Sequence, residues 1–445
     1  MYNFRDLILL MGTNPLPNYV VAKYFLTANP ALKRIWILHS PEDQRQLYAS
    51  TRELAEELRR IIQEDAGQLE VKVVALSNIS SASRIKHDVE NKVIAELPKR
   101  EISCHLNYTG GTKAMAVHTY RALESNPDYS CSFSYLDARD FRLKVDRGDH
   151  ITGDLRNEIQ VSLDTLMRMH MAEGSIGSEP PDWPEVLEKF TELIEQSRLG
   201  EYLDWVESFM IVHHYHDGQF IYQDDEFLRH NGLVNDENQI IREKTCEFQT
   251  NFSKITPPSV LELLRLIPPE HSPLEGGKWW IPQPRQSRQA RNEIKYRLQR
   301  SINNYLHGKW LESYVQKVVA DHTQGFPEES KASNWEIKRQ NSEKPFELDV
   351  ILVHGYQVLG ISVTADSSEK LCKLKGMEVI HRVNQIGGDE GKAILVTCLS
   401  EGKKYKLQND LYITSGSPEG KIMVLGIEDL PRARLWAEIE TYIRR

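Results

Sequence analysis

Lys375, Glu378, Arg382 and Gln385 follow one another at i, i+3, i+7 and i+10, so a helix through them carries all four on one face. Just upstream, residues 346–353 read Phe-Glu-Leu-Asp-Val-Ile-Leu-Val. The alternation predicts a half-buried strand, with Leu348, Val350 and Leu352 on one side and Asp349, Ile351 and Val353 on the other. Asp349 is thus an acid inside an apolar run. A turn at His354-Gly355-Tyr356 leads to a second strand over 357–363, which makes a hairpin. A strand carboxylate beside a helix that offers a lysine and another carboxylate suits metal-dependent phosphodiester hydrolysis. Oxygen ligands hold hard cations such as Mg²⁺ or Mn²⁺, and the lysine can position water or stabilise charge on the phosphorane. Asp349 and Glu378 are the expected metal ligands. Lys375 is the expected lysine, with Lys373 at the helix start as a second candidate.

These residues need a scaffold, and the chain has length for about three structural units in its 445 residues. A net charge of −9 argues against general coating of nucleic acid, so any such contact must be a local basic patch. The five cysteines are widely spaced and suggest neither a disulfide framework nor a zinc site, which points to a reducing compartment. No stretch approaches the ~18 apolar residues of a spanning helix, and the start lacks the pattern of a secretory signal. The expectation is a soluble cytoplasmic protein without a membrane partner.

In residues 1–150, short apolar runs at 7–11, 34–38, 71–76, 102–107 and 132–136 alternate with helical patterns, one of them expected to start at 40–43. Such an order predicts an α/β unit with a mainly parallel, Rossmann-like sheet. Two loops leave strands and open helices: Gly12-Thr13-Asn14-Pro15 and Thr109-Gly110-Gly111-Thr112-Lys113. Backbone N–H groups at such a turn can cradle an anion, glycine permits close approach, and Lys113 adds positive charge. Neither loop has dinucleotide or Walker spacing. A tight turn without a ligand is the competing reading.

The stretches MGTNPLPNYVV and NYTGGTKAMAVHTY resemble the ligand loops of CARF domains, the Rossmann-like sensors of type III CRISPR defence. The resemblance covers about the first 140 residues. It implies a homodimer that binds a cyclic oligoadenylate, with the tetra-adenylate as the expected ring, across its two-fold axis. It also implies that loops 40–44 and 77–81 complete the pocket. Arg34 and His39 have the spacing of the HEPN ribonuclease motif, yet they bracket an apolar strand where that motif needs a helix.

Residues 151–304 read as a connector of helical and mixed character, with helices over 186–196, 201–212 and 258–266. His213, His214, His216 and Asp217 fit no zinc spacing and read as a solvated loop. Trp279 and Trp280 lie in a Pro- and Gly-rich stretch suited to a hinge or to packing. Arg285, Arg288, Arg291 and Lys295 form the strongest basic cluster and the expected contact to a nucleic-acid backbone. A solvated basic helix is the alternative.

Residues 305–445 follow an α-β-β-α-β order with Trp310-Leu311-Glu312 on the first helix and Glu347-Leu348-Asp349-Val350 on a strand. This resembles the PD-(D/E)XK nuclease core, and the resemblance implies Glu312 as a further metal ligand beside Asp349. That family carries Glu-x-Lys on the second strand, where this chain has Ser362-Val363-Thr364. The resemblance therefore implies either an inactive core or transfer of those roles to Lys375 and Glu378. Together the two resemblances imply a nuclease of DNA or single-stranded RNA that is activated by cyclic oligoadenylate. A regulator with an inactive core, or a ring nuclease that degrades its own ligand, are the alternatives.

Overall fold

The structure is a computed structural model that describes residues 2–41, 50–97, 102–146, 151–210, 228–229, 231–237, 239–281, 305–340, 344–366, 368–417 and 419–445. The first sheet comprises β1 (Asp6–Leu10), β2 (Arg34–His39), β3 (Glu70–Ala75), β4 (Ile102–Asn107), β5 (Ser130–Asp137) and β6 (Arg142–Val145). Its order is β3-β2-β1-β4-β5-β6, parallel throughout except for β6. Helices Leu16–Ala28 and Arg52–Ala66 bury one face, and helices Ala82–Lys92 and Lys113–Glu124 bury the other. β1 and β2 are covered on both faces, so their sequences are continuous apolar runs rather than alternating ones. Arg34, at the start of β2, is spent on an ion pair with buried Asp6 at 2.5 Å. The helix expected from 40–43 has its described part at Arg52–Ala66, and 42–49 lie outside the described residues.

Two expectations about side chains are corrected. Cys104 and Cys131 face each other on β4 and β5, with Cα atoms 4.9 Å apart, and their sulfurs are bonded. The long sequence separation concealed a pair that strand register brings together. The alternation expected along the strand bearing Asp349 is likewise broken, since Leu348 and Val350 enter opposite cores.

The second sheet comprises β7 (Ala172–Ile176), β10 (Lys331–Arg339), β11 (Phe346–His354), β12 (Gln357–Thr364), β13 (Lys392–Thr397) and β14 (Ile422–Leu425); a small hairpin of β8 (Leu274–Glu275) and β9 (Lys278–Trp279) stands apart. The order is β14-β13-β12-β11-β10-β7, so the edge strand comes from the stretch read as connector. One face is covered by helices Glu369–Gly387 and Glu401–Ser415, and its core is continuous with that of the first sheet. The other face carries helices Trp310–His322 and Arg432–Arg444, and the helices Pro184–Glu195 and Pro258–Leu266 belong to the same cluster. Trp310 stacks on Phe190 at 4.2 Å, and Trp279 is buried beside Phe209 and Phe252. The tryptophan pair therefore packs rather than hinges. Among the described residues, no helix is long and apolar enough to cross a membrane.

Candidate active site and ligand loops

The site begins with a fault in the sheet. β10 and β11 pair Ser333 with Val350 and Trp335 with Leu348, and between these pairs Asn334 and Asp349 lie opposite each other unpaired. Asn334 has φ 48°, a left-handed conformation that costs an L-residue roughly 1 kcal/mol or more. Leu348 joins the same core as Ile351 and Val353, whereas Val350 and Leu352 enter the opposite one. The strict alternation expected from sequence is therefore broken at Asp349, with no change of register across the break. Gln316, on helix Trp310–His322, secures the break by donating to the Asn334 side chain at 2.6 Å and to the Asp349 carbonyl at 3.2 Å.

β11 and β12 also part here, their pairing ending at Val350 with Ile361. The Asp349 carboxylate takes over: Oδ2 accepts from Val363 N–H at 2.6 Å and from the Ser362 hydroxyl at 3.2 Å. Among the described residues, no hydrogen bond reaches Oδ1. Asp349 is 7% exposed, and burial raises its pKa against the pull of Lys375, the Val363 N–H, Lys309 and Ser362. Glu312 is pushed up to about 7, first by burial and then by the Asp349 charge, while Lys309 and Lys375 oppose the rise. Glu347 is also raised, mainly by burial, with Lys309 opposing and Asp349 adding. Lys309 forms an ion pair with Glu312. Although burial works against its charge, the surrounding acids hold its pKa above the ordinary value.

Three acids and two lysines thus share one electrostatic neighbourhood. Of the residues singled out from sequence, Asp349, Glu312 and Lys375 are brought together. Lys373 points toward helix Glu401–Ser415, its Nζ 3.8 Å from Asp410, because Gly376 packs its helix tightly against Leu411. Glu378 is exposed and lies 3.7 Å from Arg382; it is not among the groups acting on Asp349. Glu347 and Lys309 were missed. Both had a signal: Glu347 lies two positions before Asp349, and Lys309 one helical turn before Glu312.

Among the described residues, no group of three His, Cys, Asp or Glu side chains is placed to hold a metal ion alone. The donor set nevertheless fits a hard cation. Asp349 and Glu312 are oxygen donors, the Asp349 charge raises the proton affinity of Glu312, and a divalent ion would relieve that repulsion.

At the other sheet, the two predicted loops lie side by side. A Cβ on Gly12 would lie 3.1 Å from Gly111 N, and one on Gly110 would lie 2.2 Å from the Leu10 carbonyl. Gly111 has φ +76°. Thr109 Oγ1 accepts from Leu136 N–H, and Thr112 caps helix Lys113–Glu124 through Met115 N–H at 3.2 Å. Thr13, Thr112 and Lys113 are exposed, and Pro15 is buried at the start of helix Leu16–Ala28. Asn14 accepts from Leu16 N–H at 3.1 Å, and its amide lies so close to Gly388 that a Cβ there would stand 1.9 Å from Asn14 Nδ2. Gly388 ends the helix that bears Lys375. The Gly12–Pro15 loop and that helix are therefore in contact. Ser40 hydrogen-bonds Thr51, and Ser77 hydrogen-bonds Asp88, so the parts of loops 40–44 and 77–81 that contain them are tied to the helices that follow. The basic cluster Arg285, Arg288, Arg291 and Lys295, and the histidines 213–216, lie outside the described residues.

The chain matches no protein-family model and no curated protein. Solved structures do match over its whole length. Can2 from Sulfobacillus thermosulfidooxidans, solved with cyclic tetra-adenylate, superposes with a TM-score of 0.55 at 15% identity, covering 99% of this chain and 97% of that one. The fold is that of Can2. Protein VC1899 from Vibrio cholerae gives the same TM-score, 0.55, at 14% identity, with 98% of each chain covered. At this level of identity the likeness to Can2 and VC1899 concerns the fold, and the chemistry rests on the residues described above.

Proposed function

We propose that this chain is a type III CRISPR ancillary nuclease, activated by cyclic oligoadenylate and dependent on Mg²⁺ or Mn²⁺, that hydrolyses phosphodiesters of DNA or single-stranded RNA. The reading treats 1–150 as a CARF sensor, 151–304 as connector and 305–445 as a PD-(D/E)XK nuclease, working as a homodimer. The observation that carries it is the gathering of Asp349, Glu312 and Glu347 with Lys309 and Lys375 where β11 and β12 part. The whole-length likeness to a protein solved with cyclic tetra-adenylate supports the sensor half.

In this reading Asp349 and Glu312 hold the cation, with Glu347 rather than Glu378 as the third nearby carboxylate. When bound, the cation polarises the scissile phosphate and lowers the pKa of water. Lys375, from the neighbouring helix, stands in for the lysine missing from β12 and faces the charge that develops on the phosphorane. Lys309 pairs with Glu312, orients it and opposes the rise of its pKa. The hydroxyl of Ser362 fixes Asp349 where the family pattern would place a ligand. The ligand is received by the loops Gly12–Pro15 and Thr109–Lys113. Its closure on Asn14 is passed through Gly388 to the Lys375 helix, shifting an existing equilibrium between inactive and active arrangements.

The departure at Ser362-Val363-Thr364 favours a second reading, a sensor with an inactive core that binds nucleic acid. Incubation of wild type and Asp349→Asn with plasmid DNA and RNA, Mn²⁺ and a panel of cyclic oligoadenylates separates them. Cleavage that needs ligand and metal, and is lost in the variant, is expected. No cleavage under any combination establishes the regulator, and loss of the cyclic ligand in EDTA establishes a ring nuclease.

A further inference from the structure

A cleft of about 410 Å³ opens between the sensor and the second sheet, beside the proposed catalytic centre but separate from it. Its lining includes Arg339 from the end of β10, Arg382 and Gln385 from the Lys375 helix, and His170 from the loop before β7. Arg339 forms no ion pair with any described residue. Arg382 stacks over Phe346 at 4.5 Å and is 3.7 Å from Glu378, yet its buried Nε has no hydrogen-bond partner. His170 is 2% exposed, and neither ring nitrogen finds a partner in hydrogen-bond geometry. Burial, followed by the charge of Arg339, holds its pKa down at about 4, so the ring is neutral at physiological pH. Glu53 is the acid among the lining residues.

Two arginines with unfilled donors and a buried, unpartnered imidazole around one cleft form a site built for an oxyanion. Its position indicates which one. Arg382 follows Lys375 by seven residues on the same helix face, about 10 Å along the axis at the helical rise. We infer that the cleft holds a backbone phosphate of the substrate strand, outside the scissile position, and so fixes the strand's path across Lys375. This rests on the nuclease reading and assigns it a phosphate subsite on the sensor side of the centre. The strand would then touch both halves of the molecule at once, which links substrate binding to their relative position.

The test is equilibrium binding of a fluorescent single-stranded oligonucleotide to the full chain carrying Asp349→Asn, in EDTA and over a range of salt. Adding Arg339→Gln, which removes no ion pair, should weaken binding about tenfold and reduce the salt slope by about 0.7, with thermal stability unchanged. Arg382→Gln should act in the same direction. Inorganic phosphate should shift the His170 ring resonances only at concentrations far above those of the oligonucleotide, which distinguishes a strand site from a site for free phosphate. Equal affinity and slope in both arginine variants overturn the inference and leave the nuclease reading intact. So does a loss confined to cyclic tetra-adenylate, because the cleft would then serve the activator. Failure of the parent protein to bind any oligonucleotide overturns both.

Discussion

In the proposed reading, the open ends of the two sheets meet the same physical problem, phosphate recognition, with opposite materials. The first presents glycines, hydroxyls and backbone N–H groups, with exposed Thr13, Thr112 and Lys113 and, among the described residues, no cluster of buried acids at the loops. The second buries Asp349 and crowds Glu312 and Glu347 around it. Amides and helix ends can receive a polyanion without desolvating a fixed charge. A buried carboxylate cluster repels phosphate until a cation joins it. In the proposed reading, one end binds an anion and releases it intact, and the other binds one only through a metal. The contact between Asn14 and Gly388 joins them.

The sharpest break of this comparison is Asp349→Asn, which should lower activated cleavage by about a thousandfold or more while leaving cyclic tetra-adenylate binding unchanged. Calorimetry for the ligand and a cleavage assay for the product read the two ends separately. Lys375→Ala should cost about a hundredfold, and Lys373→Ala, whose side chain turns toward Asp410, should cost little. Equal losses in the two would remove Lys375 from its role. Asn14→Ala should weaken the dependence of cleavage on ligand by about tenfold, within the range of a coupling free energy, with cleavage by the fully liganded enzyme the least affected.

The smallest effect expected concerns pH. Glu390 lies beside the Asn14–Gly388 contact, is 4% exposed, and is pushed up to about 7, chiefly by burial. Its folded pKa exceeds the unfolded value, so the native state binds the extra proton. Any stability this supplies is present below the unfolded pKa and is lost as pH rises through about 7. Glu390→Gln should therefore raise stability at pH 8 by up to about 3 kcal/mol and leave it unchanged near pH 4. Thermal melts at the two pH values check this. A variant with the same gain at both would show that the carboxylate does not titrate in that window.

The sequence by itself determined the five parallel strands of the first sheet, since buried strands need continuous apolar runs and helices between them need a periodic face. It also determined the two loops at that sheet's open end, because glycine and threonine at a strand-to-helix turn leave few conformations. Asp349 stood out because an acid within an apolar strand demands a reason, and Glu312 because a helical acid borders an apolar stripe. Only the tertiary structure decided what those acids face. The fault at Asn334 and Asp349 depends on pairing with β10, a strand absent from the expected order, and it turns Asp349 out of the alternation. The bond between Cys104 and Cys131 follows from register across β4 and β5, which spacing along the chain does not encode. Glu378 and Lys375 share a helical face in sequence, yet the packing of Gly376 on Leu411 and the reach of Arg382 place one in the site and the other beside it. Periodicity fixes the direction in which a side chain leaves its own element. The neighbouring elements fix what it meets there.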